Sequence, residues 1–241
     1  MRNSSTPIYP IVIIAVVIFF FIGTKNQLSV IQKFKDTVKT IENVAFDKKN
    51  GSANEEPKTM KVHSQEVLDY YDEIVMNSEF NGRRSSAFKW DSDMKIYVEG
   101  EPTSELLSEL DRVVAELNDI INPIDLVIVN DRNDANMFVY FGSADDFANA
   151  HPDINRSHLI SNSGLFEVSR RDGKCGGKLY VDTYRTNLNS QKHIIREELT
   201  QSLGLINDSY EFPESIFYQD QNSTTEYADI DIELIDMLYN N

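Results

Sequence analysis

The segment Glu197–Ser209, EELTQSLGLINDS, decides how this chain is read. On a helix, residues 197 and 201 lie four apart and share a face, with Glu198 beside them. Leu199, Ser202 and Leu203 turn inward, and Gly204 lets the chain leave the helix through a left-handed C-cap. Asn207 and Asp208 follow in a turn. A zinc peptidase places two histidines at i and i+4 on one helical face, with a glutamate directly after the first to activate a metal-bound water. The spacing here is the same, but the residues are Glu197, Glu198 and Gln201.

Upstream of this helix, strand and helix patterns alternate. MKIYV at 94–98 predicts a strand, and Thr103 or Ser104 caps a helix running to about Ile121. Leu106, Leu107, Leu110, Val113, Val114, Leu117 and Ile120 recur at i, i+3, i+4 and i+7, the apolar stripe of a helix laid on a sheet. Further strands are expected at 125–129, 137–141, 165–168 and 178–181, and further helices at 62–80, 190–203 and 227–239. This order predicts an α+β domain, one mixed sheet backed by helices, over residues 61–241. Gly173, Gly176 and Gly177 around Cys175 fit a hairpin turn rather than a phosphate loop, and no serine stands in a GxSxG context. Asp91 with Asp93, and Asp145 with Asp146, fit turns and caps.

The other end of the chain has a different character. No charge falls between Arg2 and Lys25, and Ile11–Ile22 is wholly apolar. At a rise of ~1.5 Å per residue the run from Ile8 to Gly23 spans roughly 24 Å, close to the ~30 Å hydrocarbon core once Tyr9 and Thr24 sit at its edges. Its exit, Phe21 to Lys25, lacks the small-residue pair of a signal-peptidase site, so residues 1–24 are expected to be an uncleaved transmembrane anchor. Residues 25–46 carry helical apolar spacing and fit a stalk helix. DKKNGSANEEPKT, at 47–59, fits a flexible linker that ends near residue 60. Lys25, Lys33, Lys35 and Lys39 follow the span while only Arg2 precedes it, which by the positive-inside rule favours a cytoplasmic domain.

Composition narrows the partners. Of the 241 residues 41% are hydrophobic, enough for a real core, and the formal charge is −16. Such an acidic chain is a poor match for nucleic acid or anionic lipid, because both are polyanions. A protein or peptide is the expected partner, with the membrane itself engaged through residues 8–24. The single cysteine, Cys175, rules out an internal disulfide and a CxxC metal knuckle.

The 197–209 segment resembles the active-site helix of metzincin-type peptidases, HExxHxxGxxH. Glu197 and Gln201 stand at the first two histidines, Glu198 at the catalytic glutamate, Gly204 at the glycine and Asn207 at the third ligand. Downstream, Ser215-Ile216-Phe217-Tyr218 resembles the methionine turn with Phe217 in place of methionine, and Asp229-Ile230 to Leu238-Tyr239 resembles the closing helix. The same elements resemble more closely a bacterial family known as domain of unknown function 2927, a degenerate zincin-like (metzincin-like) domain. That resemblance implies export, hence a domain facing the periplasm from an inner membrane, in conflict with the lysine count after the span. It brings no established activity.

The departures from the peptidase pattern set the expected chemistry. Zinc sites use nitrogen and sulfur donors, so the oxygen set of Glu197, Gln201, Asn207 and Asp208 is unsuited to zinc and better suited to a hard divalent cation such as calcium or magnesium. Glu198 is the candidate general base of an atypical hydrolase; Ser209, Phe217 and Tyr218 are candidate binding residues. His193 lies one turn before Glu197 on the same face, as a further ligand candidate or a hydrogen-bonded side chain. Arg196 is expected as an ion-pair partner of the adjacent glutamates. The expectation for the whole is a non-catalytic binding or assembly module, with the hydrolase as its alternative. A cleft that closes Glu198 from solvent and raises its pKa favours the enzyme; an exposed or salt-bridged Glu198 favours the module.

Overall fold

The computed structural model describes residues 63–75, 88–220 and 223–240, which belong to one unit spanning Val62–Asn241. Its helices are α1 (Gln65–Val75), α2 (Ser104–Ile120), α3 (Ala144–Ala150), α4 (Arg156–Ser161), α5 (Leu188–Gln201) and α6 (Asp229–Asn240). Its strands are β1 (Met94–Gly100), β2 (Leu126–Ile128), β3 (Met137–Gly142), β4 (Gly164–Arg171) and β5 (Lys174–Asp182). They form one mixed sheet in the order β2-β1-β3-β5-β4, in which only the β4–β5 pairing is antiparallel. The expected anchor, stalk and linker lie outside the described residues. Among the described residues no helix is long and apolar enough to cross a membrane.

Alternation along the strands builds two cores. Met94 and Ile96 of β1, Val139 and Phe141 of β3, and Leu179 and Val181 of β5 share one face of the sheet and meet the α2 stripe, Leu106, Leu110, Val113 and Leu117. Ile195 and Leu199 of α5, with Leu234 and Leu238 of α6, complete this layer. Tyr180 turns to the opposite face, where Phe147 of α3 and Leu159 of α4 cover it. The short helices α3 and α4 were not anticipated from periodicity: at seven and six residues, neither carries enough turns to write an apolar stripe. Their caps are legible all the same, since Ser143 and Asn155 accept from the backbone N–H groups of Asp146 and Ser157.

Local chemistry fixes the ends of the elements that frame the candidate site. Thr103 is the α2 N-cap and accepts from the Leu106 N–H. The β4–β5 hairpin turns through Asp172 and Gly173, both at positive φ, which suits a two-residue turn whose twist matches the strands. At the other end of α5, Gly204 has φ +127°, and a Cβ there would lie 2.0 Å from the Phe88 carbonyl oxygen. Glycine is required by both backbone angle and space. The carbonyls just past the end of α5 are met from outside: Trp90 Nε1 donates to Ser202 O at 2.9 Å and the Tyr239 hydroxyl donates to Leu203 O at 2.8 Å.

Candidate functional site

Helix α5 runs beneath the sheet next to β4 and β5, its EELTQ segment beside the first residues of the edge strand. Helix and strand approach tightly at Gly164: a Cβ on that residue would lie 2.4 Å from Glu198 Oε1 and 2.6 Å from Ile194 Cγ2. The strand's own backbone therefore rests on the Glu198 carboxyl. Glu198 is crowded by protein yet retains some accessible surface. Burial raises its pKa well above the ordinary carboxylate value, and the charges of Glu197 and Asp208 add to the effect.

Around it the side chains are paired in a chain of contacts. His193 is buried, its Nδ1 2.7 Å from Thr224 O and its Nε2 3.3 Å from Glu197 Oε2. Burial opposes the imidazolium, but the Glu197 carboxylate and then the Thr224 carbonyl outweigh it and raise the His193 pKa. Gln201 Nε2 donates to Asp208 Oδ1 at 2.6 Å. Burial and the nearby Glu197 charge push Asp208 up to about 6, against the Gln201 hydrogen bond and the His193 charge, which pull it down. Asn207 turns the other way: its Nδ2 donates to Glu73 O at 2.9 Å and Ile74 O at 3.3 Å, tying the turn to the last residues of α1. Among the described residues, no three His, Cys, Asp or Glu side chains are grouped to hold a metal ion.

The candidate binding residues separate by burial. Phe217 is fully buried in the main core and Ser209 is buried under it, its backbone N–H donating to Phe217 O at 2.9 Å. Tyr218 keeps partial exposure and meets the exposed Tyr210 edge-on at 6.3 Å between ring centroids. The Ser-Ile-Phe turn is held by the closing helix. Ser215 Oγ lies 2.5 Å from Asp231 Oδ1, and the same carboxyl accepts from the N–H groups of Ile216 and Ala228. Asp231 is fully buried, and that burial pushes its pKa up to about 6.

The expectation that Arg196 pairs with its neighbouring glutamates is corrected. A helix sets residue 196 on a different face from 197 and 198, and here that face meets α2. Arg196 is fully buried, 2.5 Å from Glu116 and 3.6 Å from Glu109, with its guanidinium 4.2 Å from the Tyr227 ring centroid. The carboxyl chemistry of the site is left to Glu197, Glu198 and Asp208. Gly164 and the Thr224 carbonyl belong to the site as well; neither has a local sequence signal, because both come from segments brought in by the fold.

The fold and site together define an α+β domain whose central helix presents a partly buried carboxyl cluster beneath an edge strand. Residues 64–241 match a family described as protein of unknown function, DUF2927, and the chain belongs to that family. No curated protein matches it significantly.

Proposed function

We propose that this chain is a membrane-anchored, extracytoplasmic protein whose zincin-like domain binds an extended peptide along the open edge of β4 and does not hydrolyse it. One observation carries this reading: the side chains at the three metal-ligand positions are all engaged within the protein. Glu197 faces His193, Gln201 bonds Asp208, and Asn207 bonds the α1 carbonyls. The strand above remains available. Among the described residues β4 pairs with β5 alone. The Asp182 N–H donates to Ser163 O at 2.8 Å, which sets the ladder's alternation and turns the backbone groups of Gly164, Phe166 and Val168 outward. Among the described residues those groups meet no backbone partner, and an added strand would pair with them and cross over Glu198.

A second reading, the atypical hydrolase, is favoured by the raised Glu198, since a carboxyl withdrawn from solvent is suited to proton transfer. The two readings separate in one experiment on the full chain in non-ionic detergent. A peptide library is screened for binding and cleavage, with metal analysis alongside, against Phe166→Pro, Phe166→Ala and Glu198→Gln. Binding lost in Phe166→Pro, retained in Phe166→Ala and never followed by cleavage supports the module. Cleavage abolished by Glu198→Gln supports the hydrolase, and equal binding by the proline variant sinks the edge-strand reading.

A further inference from the structure

Away from the carboxyl cluster, a crevice of about 590 Å³ opens where the parallel strands β1, β3 and β5 end, lined by residues such as Glu101, Tyr140, Gly142, Asp146 and Tyr184. We propose that this crevice is a binding site for an organic cation, a substituted ammonium or guanidinium group. Two tyrosines and two carboxylates converge there with no basic side chain among the described residues lining it. The Tyr140 ring folds over the strand end because Gly142 has no side chain: a Cβ there would lie 2.7 Å from Tyr140 Cε1 and 3.3 Å from its hydroxyl oxygen. Burial, and then the charges of Asp146, Glu99 and Glu101 with Tyr184 among them, raise the Tyr140 phenol, in keeping with carboxylates gathered about this ring.

Tyr184 forms the outer wall and is 73% exposed. It is held there by a rigid turn. The Tyr184 and Arg185 N–H groups both donate to Asp182 Oδ1, at 2.9 and 2.8 Å. The neighbouring cation, Arg185, is turned away and spent on the Asp182 carboxylate and the carbonyls of Leu159, Ile160 and Asn162, so it does not neutralise the crevice. Asp146 also accepts from the Ser143 hydroxyl at 2.6 Å, but neither it nor Glu101 meets a basic side chain among the described residues. A preorganised aromatic face beside such carboxylates suits a cation with apolar substituents, which gains from both the ring quadrupole and the charge. A bare metal ion would make no use of the rings.

The test is fluorine NMR of the full chain in non-ionic detergent, labelled with 3-fluorotyrosine, with Tyr140 and Tyr184 signals assigned through Y140F and Y184F. Tetramethylammonium chloride, tert-butanol as neutral isostere, and the blocked tripeptide Ala-Lys-Ala are titrated at constant ionic strength. The proposal expects saturable shifts of both signals with tetramethylammonium, absent with tert-butanol, and affinity weakened about two- to fivefold in Tyr184→Ala and in the Glu101→Gln, Asp146→Asn double variant. Tighter binding of the tripeptide identifies a lysine side chain as the natural source of the cation, and equal binding identifies the headgroup alone. Equal response to tert-butanol, no saturable shift, or unchanged affinity in the variants overturns it.

Discussion

Gln201 Nε2 donates a 2.6 Å hydrogen bond to Asp208 Oδ1, so the helix position where a peptidase of this spacing carries its second histidine is tied to the turn that follows. The bond holds down the pKa of a carboxyl that burial and Glu197 push up. Gln201→Ala therefore raises the folded-state pKa of Asp208 further. Because that pKa already lies above its unfolded value, the cost is present at pH above it and fades as pH falls below it. A loss of about 1–2 kcal/mol is expected near pH 8, and less near pH 5, in urea unfolding of native and variant protein. An equal loss at both values would refute this coupling.

Asp231 and Asp208 share one direction, each raised to about 6 from an ordinary value of 3.8. For an acid raised on folding, the stabilisation is complete below the unfolded pKa and disappears as pH rises through the folded one. Asp231 alone is expected to make the domain about 1 kcal/mol more stable near pH 5 than near pH 7.5. Thermal unfolding across this range checks the sign: a lower midpoint at pH 5 than at pH 7.5 contradicts it.

Gly164→Ala forces a Cβ against the Glu198 carboxyl and Ile194. The expected cost is about 1–3 kcal/mol, from overpacking at a tight helix–strand contact. Glu198→Ala should recover part of that loss in the double variant, because it removes one of the two groups the new methyl meets. A double variant no more stable than Gly164→Ala in denaturant melts would show that Glu198 is not what the glycine accommodates.

Arg196→Met removes the cation that faces Glu109 and Glu116 on α2. Glu109 is 5% exposed, and although Arg112 also reaches it, the lost partner leaves a buried carboxylate undercompensated. A loss of about 3 kcal/mol or more is expected, partly restored by Glu109→Gln. Equilibrium unfolding of the single and double variants measures the restoration, and none would assign the loss to packing against Tyr227 instead.

The sequence by itself determined the longer elements and the order in which they come, though not the two short helices α3 and α4. The α2 stripe, the Thr103 cap and the four-residue spacing of Glu197 and Gln201 are local, and helix and strand periods translate them directly into faces. Of the glycines expected in the hairpin turn only Gly173 lies there, while Gly176 and Gly177 pair within β5. It placed Glu198 beside those two positions, and it marked Gly204 as the exit from the helix. Only the tertiary structure decided what each face meets. Arg196 found Glu116 some eighty residues upstream, His193 found the Thr224 carbonyl, Asn207 found the end of α1, and the Phe88 carbonyl made glycine at 204 a matter of space as well as angle. The same holds for Gly164, whose missing side chain lets an edge strand rest on the Glu198 carboxyl. Such contacts depend on the packing of segments far apart in the chain, and periodicity carries no information about which distant backbone will arrive at a given face.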